Sequence, residues 1–227
     1  MENDRILLTD IEFIPTKEAL LRNRIFTGDP DAPQVKRLLE RCAKAVRPRV
    51  LARLVEVEHD PEGRVVSVGG EAMSSPVLDR QMEGIHRAFA FVATSGRELA
   101  AVDYEGDQAL SRALLAVGVA AVHAAMERLG AELEARYHIG KTGEVNPGSL
   151  PEWPTAEQDK LFRILGDVEG DIGVTLGENH FMTPLASSSG LLYETEQDYQ
   201  NCTYCTNLNC PIRRTPYDPA KAAELRK

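Results

Sequence analysis

The apolar and polar positions change period several times along the chain. Val35, Leu38, Leu39, Cys42, Ala43 and Val46 recur on one helical face, with Asp31 as the expected N-cap, Pro33 in the first turn and Pro48 as a stop. Before them, Ile6 to Ile14 read as a short strand or docking segment ended by Pro15. Val50 to Glu58 is β-branched and apolar, Asp60-Pro61-Glu62-Gly63 has turn chemistry, and Arg64 to Val68 reads as the returning arm of a hairpin. Ser75-Pro76 predicts a helix as far as Gly84, because serine caps and proline suits the first helical position. Arg87 to Thr94 is almost wholly apolar and predicts a central strand.

The longest predicted helix runs from about Asp107 to Tyr137 and is rich in alanine, which favours helix. Gly118 sits there among small residues, where another element can approach closely. Asp103, Glu105 and Asp107 place negative charge at the N-terminal end, which suits the helix dipole. From Gly140 to Pro154 the chain reads as irregular. Thr155 and Gln158 then form a capping-box pattern ahead of Leu161, Phe162 and Leu165, with Gly166 as the stop. Ile172 to Leu176 and Gly190 to Tyr193 read as strands. Strands in hairpin-like groups, not in strict βαβ alternation, predict an α+β fold: a mixed or antiparallel twisted sheet with packed helices.

Composition adds exclusions. The 227 residues suffice for a real core, and the 43% hydrophobic and 27% charged content is that of a globular chain. The net charge of −9 would repel phosphate backbones, and no basic run offsets it, so no nucleic-acid partner is expected. No stretch approaches about eighteen consecutive apolar residues, so no membrane span is expected. MENDRILLTD lacks the pattern of a secretory signal, which points to the cytoplasm and reduced thiols.

The candidate chemistry begins in the irregular stretch. Asn146-Pro147-Gly148-Ser149-Leu150-Pro151-Glu152-Trp153-Pro154 combines fixed φ at its prolines, close backbone approach at Gly148 and the only tryptophan of the chain. It reads as a rigid connector or a ligand-binding loop. Around it, motifs follow in order: Phe91-Val92-Ala93-Thr94-Ser95-Gly96-Arg97-Glu98, the alanine-rich helix, the loop, Glu157-Gln158 with Leu161-Phe162, Ile172-Gly173-Val174-Thr175-Leu176, Met182, Pro184, and Ser187-Ser188-Ser189-Gly190. This series resembles the activation domain of cobalamin-dependent methionine synthase, and more closely its free-standing relatives in corrinoid methyltransferase systems. The resemblance covers about residues 90–193, with a weaker trace from about residue 12.

The resemblance implies a domain that binds S-adenosylmethionine, docks on a corrinoid-binding protein or methyltransferase subunit, and assists reductive methylation of the Co(II) corrinoid. It implies cofactor contacts at Asn146, Pro147, Gly148 and Ser149, and at Glu178 and His180 in the polar segment after the 172–176 strand. The chain departs from the family's loop at two places. Glu144 and Ser149 stand where the family has an arginine and a tyrosine of its cofactor-binding signature. The backbone of 146–148 can still meet a nucleoside through loop shape.

Cys202, Cys205 and Cys210 form C-x2-C-x4-C, followed by Pro211, Arg213 and Arg214. Closely spaced thiolates suit an iron–sulfur cluster or zinc, with a fourth ligand from Cys42, His180, another chain or a non-protein group. A redox-active C-x-x-C pair is a third possibility. The two arginines offset thiolate charge, bind an anion or are solvated. Cys42, on the apolar helix face, reads as a small buried hydrophobe. His123 lies within the alanine-rich helix, where a satisfied core position is the default and a place facing a cofactor cleft the alternative. His59, His86 and His138 have no metal spacing, and Ser187 to Ser189 lack the context of a nucleophile.

The division expected is an activation-domain-like α+β domain at 1–195 and a Cys-rich metal-binding tail at 196–227. Three functional readings stand at this point. They are an accessory protein for corrinoid-dependent methyl transfer, an iron–sulfur electron-transfer partner, and a non-catalytic, zinc-stapled corrinoid-protein-binding module.

Overall fold

The computed structural model describes residues 4–225. The chain opens with strand β1 (Arg5–Leu8), helix α1 (Lys17–Leu21) and helix α2 (Pro33–Ala45), followed by the long strand β2 (Arg49–His59). Strands β3 (Val65–Val68) and β4 (Glu71–Ala72) return as a small meander, then come α3 (Pro76–Gln81), β5 (Arg87–Thr94) and α4 (Arg97–Ala100). Helix α5 (Gln108–Tyr137) leads to β6 (Thr142–Val145), a 3₁₀ turn (Thr155–Glu157), α6 (Gln158–Leu165) and α7 (Val168–Ile172). A two-stranded ribbon, β7 (Thr175–Leu176) with β8 (Met182–Thr183), precedes β9 (Ser187–Glu194), α8 (Asn201–Tyr204) and α9 (Pro219–Leu225).

The main sheet has seven strands in the order β4-β3-β2-β5-β9-β6, with β1 also on β2. Every pairing is antiparallel. One edge of β2 serves two partners: its first half takes β1, and Val57 to His59 take β3. Its other edge pairs with β5 along the whole of that strand. As expected of a central strand, β5 is covered on both faces. Phe89, Phe91 and Ala93 pack toward Val122, Ala125 and Leu129 of α5. Alternate residues Ala88, Ala90 and Val92 join Trp153, Leu161 and Leu165 on the opposite face, which follows from the two-residue period of a strand.

Helix α5 crosses the sheet and also packs against α1 and α2 through Leu110, Ala113, Ala116 and Val117. By length and composition it is apolar enough to cross a membrane, but half of its most apolar window is buried inside the fold. Its small residues permit close packing: a Cβ on Gly118 would lie 2.6 Å from the Cβ of Ala186. Asp107 caps its N-terminus by accepting from the backbone of Ala109 and Leu110. The Ser75 cap of α3 and the Gly166 stop of α6 are likewise found where the sequence places them.

Several expectations are corrected. Asp31 does not cap α2: Ala32 is the N-cap without a side-chain bond, and the Asp31 carboxylate lies 3.6 Å from Lys17 and 3.7 Å from Lys36. Residues 9–14 leave the sheet after Leu8. Ile172 ends a helix, not a strand, because Asp167 caps α7 and Gly173 turns left-handed at φ 74. Within the stretch read as irregular, Thr142 to Val145 pair with β9. Strand β9 itself starts at Ser187, three residues before the expected Gly190, so Ser187 to Ser189 are sheet residues paired with β5.

The C-terminal residues pack on the body. Tyr199 and Leu225 are buried in the cluster containing Trp153, and the Tyr199 and Tyr204 rings stack at 5.2 Å. Burial pushes the Tyr199 and Tyr193 hydroxyls well above the usual phenol range.

Candidate functional site

Helix α5, the start of β9, strand β6 and tail residues Asn209, Cys210, Pro211, Ile212 and Arg214 border an open cleft of about 1040 Å³. Leu115, Val119, Val122, Met126, Leu185 and Ile212 give it apolar walls. A recess of about 180 Å³ over Ser95, Leu99 and Pro184 adjoins it through Leu115, Leu185 and Ala186. A concave, mainly apolar site with a few polar groups is the usual form of a small-molecule site, and this one has room for a nucleoside-sized ligand.

Its charged lining comes from distant parts of the chain. Arg24 follows α1, Arg112 lies in the first turns of α5, and Arg214 belongs to the tail; Glu127 and Glu144 are also in the lining. None of the three arginines forms an ion pair among the described residues. His123 lines the same cleft. Burial lowers its pKa, the charges of Arg214 and Arg22 lower it further, and Glu127 opposes them. The imidazole therefore favours its neutral form. His123 thus borders a cleft, not the closed core that is the default for its place in the helix.

The loop at Asn146 is held by its own polar groups. Asn146 Nδ2 donates to Glu144 Oε1 (2.7 Å) and to the Ser189 carbonyl (2.9 Å), while its Oδ1 accepts from Asn201 Nδ2 (2.6 Å). Gly148 N–H donates to the Trp153 carbonyl at 2.7 Å, and Ser149 N–H to the Asn146 carbonyl at 3.2 Å. Gly148 has φ 80, and a Cβ there would meet Thr155 Oγ1 at 2.4 Å, so only glycine fits this turn. Pro147 fixes the turn beside it. The amide of Asn146 thus ties sheet, loop and tail together.

Glu178 and His180 lie in the turn joining β7 to β8, where Glu178 is exposed and His180 is half-buried at φ 60. His180 Nδ1 is 3.0 Å from Asp159 Oδ1. Gln158 does not complete the expected capping box. It is buried, its Nε2 donates to the His180 carbonyl (2.7 Å), and its Oε1 accepts from Ser189 Oγ (2.7 Å). A chain of bonds from Asn146 through Ser189 and Gln158 therefore reaches His180, joining the two groups of residues that the resemblance singled out. The cleft itself is lined by Glu144, Ser187 and Ser188, not by Asn146, Pro147, Gly148, Ser149, Glu178 or His180. The Ser187 hydroxyl is engaged with Thr94 Oγ1 (2.9 Å) and the Pro184 carbonyl (2.8 Å).

Cys202 lies on α8, Cys205 ends it, and Cys210 lines the cleft; all are free, half-buried thiols. Among the described residues no three His, Cys, Asp or Glu side chains gather into a group able to hold a metal. The suggested fourth ligands are engaged elsewhere. Cys42 is fully buried with Leu38 and Val46, its thiol pushed up to about 11 by burial, and His180 faces Asp159. Arg213, expected to offset thiolate charge, bind an anion or be solvated, is instead half-buried and engaged with backbone carbonyls. Its Nη1 donates to the carbonyls of Cys202 (2.6 Å) and Thr215 (3.0 Å), and its Nη2 to those of Cys205 and Asn207 (both 2.8 Å). One planar guanidinium thus holds the cysteine loop through four backbone oxygens. Arg214 N–H approaches Cys202 Sγ at 3.5 Å, and Arg24 N–H donates to the Pro211 carbonyl at 2.9 Å, which fixes the tail beside the cleft.

The sequence reading missed Arg24 and Arg112, and it gave Gln158 a helix-capping role in place of its buried bonds to Ser189 and His180. No spacing relates residues 24, 112 and 214, and Gln158 fits a familiar local motif. The chain's composition, with 26 basic residues, does not set these arginines apart.

No family model matches the sequence, and no curated protein does. Among solved structures, the chain is similar to the MetH reactivation domain crystallised with AdoHcy bound. The two share 18% identity and superpose with a TM-score of 0.53, over 86% of this chain and 80% of that one. The chain has the α+β fold of the MetH reactivation domain.

Proposed function

We propose that this chain assists the reactivation of a corrinoid methyltransferase: it binds S-adenosylmethionine in the α5–β6–tail cleft and docks on a corrinoid-carrying protein. The observation that carries the reading is the fold shared with a reactivation domain that holds AdoHcy, the product left when S-adenosylmethionine gives up its methyl group. The cleft of about 1040 Å³, with apolar walls and charged groups, fits a ligand of that class. Reductive methylation consumes one electron and the methyl group of S-adenosylmethionine for each Co(II) centre, and releases S-adenosylhomocysteine. The cobalt chemistry belongs to the corrinoid, and a separate reductant supplies the electron. This chain's part is to hold the nucleoside, orient its sulfonium toward the docked partner and exclude water. A cytoplasmic setting and a macromolecular partner other than nucleic acid belong to the same reading.

The test is methyl transfer itself. A Co(II) corrinoid protein, a one-electron donor and S-adenosylmethionine labelled in its methyl group are incubated with and without the chain. Label on the corrinoid only when the chain is present is the expected result. Transfer at a rate independent of the chain overturns the proposal.

The C-x2-C-x4-C spacing supports a second reading, in which an iron–sulfur cluster delivers the electron or zinc staples the tail. The described thiols do not fit a preformed metal site, so no step is routed through one. Iron, zinc and sulfide content after anaerobic purification decides it: a metal-free, colourless protein removes this reading.

A further inference from the structure

The first two thiols of the tail share one turn of helix. Cys202 lies within α8 and Cys205 closes it, the Cys205 N–H donating to the Asn201 carbonyl at 3.1 Å. Residues three apart on such a turn lie on one side of it with Cα atoms about 5 Å apart, inside the range of about 4.4–6.8 Å that a disulfide spans. Their Cβ atoms, roughly 5–6 Å apart in a regular turn, must draw in by about 1 Å to reach the separation of a relaxed bridge. The chain turns extended at Cys205, with ψ 128, so no following helical turn resists that movement. The third thiol faces elsewhere. Cys210 lines the α5 cleft and the other two do not, while Cys205 packs with Tyr204 against the cluster around Trp153. No third His, Cys, Asp or Glu joins the two in a metal-holding group among the described residues. Both thiols are free and only half-buried, which leaves them within reach of a small oxidant. Arg213 holds the backbone carbonyls of both and keeps the turn in place.

We propose that Cys202 and Cys205 are a reversible redox pair, which a disulfide oxidant of the glutathione class closes into a bridge across α8 while Cys210 stays a free thiol. One thiol attacks the S–S bond of oxidised glutathione and releases one reduced glutathione. The second thiol then displaces the other. In sum, two protein thiols and one oxidised glutathione give one protein disulfide and two reduced glutathiones, which carry away both protons. Because the turn is drawn in, the bridge is strained and an added dithiol reopens it. The pair is also joined to the cleft wall: Arg213 bonds both cysteine carbonyls and lies between Ile212 and Arg214, which line the cleft. The inference is independent of the S-adenosylmethionine reading and competes with the metal reading for the same sulfurs.

The test treats the full chain, purified anaerobically, with oxidised glutathione, then counts thiols after denaturation and maps bridges by mass spectrometry. Chymotryptic cleavage after Tyr204 separates the two cysteines unless a bridge joins them. The expected result is a fall from four thiols to two, a bridge between Cys202 and Cys205, and full recovery with dithiothreitol. C210S is expected to form the same bridge, and C202S to form none. Four thiols retained, a bridge that includes Cys210, or glutathione adducts without a bridge overturns the pair. Metal bound at the tail that shields the thiols from the oxidant also overturns it, in favour of the metal reading. The wild-type map needs no variant, so it decides the inference even where a serine variant fails to fold. None of these outcomes bears on S-adenosylmethionine binding, which titration measures separately.

Discussion

Along the Asn146 loop and the His180 turn, side-chain amides use both of their ends: Asn146 on Glu144, Ser189 and Asn201, Gln158 on Ser189 and His180. In the cleft beside α5, by contrast, Arg24, Arg112 and Arg214 border about 1040 Å³ of open space without an ion pair among the described residues. The first region spends its polar groups on holding the fold, and the arginines of the second pair with no acid among the described residues. Residues of the first kind are fixed by local chain geometry and leave a motif. Residues of the second kind are gathered by topology and leave none.

Disturbing the first region should cost stability. Gly190→Ala is expected to have the largest effect, because its Cβ would meet the Val145 carbonyl oxygen at 2.3 Å and Asn146 Nδ2 at 2.8 Å. Neither is a flexible side-chain end that can swing away freely, so β6 must separate from β9. A loss of about 3 kcal/mol in urea denaturation is expected, the upper range for overpacking a tight site. Gln158→Leu should follow with about 2 kcal/mol, since it strands the Ser189 hydroxyl and the His180 carbonyl without their partner. Stability within about 0.5 kcal/mol of wild type for Gln158→Leu would sink the claim that this network holds the fold.

Disturbing the second region should leave stability nearly alone and change titration instead. Burial, Arg214 and Arg22 lower the His123 pKa while Glu127 raises it. A depressed folded-state value means that the neutral imidazole is favoured. Its contribution to stability is full above the unfolded pKa, about 6.5, and is lost as pH falls from there toward the folded value. Arg214→Gln removes one lowering charge, so the His123 pKa should rise in an NMR titration and the acid-side loss should shrink. An unmoved His123 resonance would mean that the tail does not close over α5.

Much of this architecture could be read from residue patterns, and the exceptions have physical causes. The expected α2, β2, β5 and α5 agree with the structure to within a residue or two, because each has a long, clean period and recognisable ends. Residues 172–176 misled because β-branched side chains there outweigh a weak helix signal, while the Asp167 cap and the left-handed Gly173 set the true boundary. Strand β6 was hidden by neighbouring glycine and proline, and β9 begins with serines that look like loop but are buried or half-buried by α6 and the β5 ladder. At the site, the ordered motifs led to the fold and to the Asn146–His180 network. Arg213 shows the limit most clearly: its four carbonyl bonds depend on how residues 202–215 curl, which no spacing of cysteines encodes.

The central claim is that the cleft beside α5 holds S-adenosylmethionine. Gly130 lines it on a helical turn, and a Cβ placed there meets nothing within 4 Å. Gly130→Trp should therefore project an indole into the cleft without straining the helix. The most direct measurement is calorimetric titration of S-adenosylmethionine into the wild type and this variant. The account predicts one-to-one binding by the wild type and its loss in a folded Gly130→Trp protein. No binding by the wild type, or undiminished binding by the variant, would contradict it.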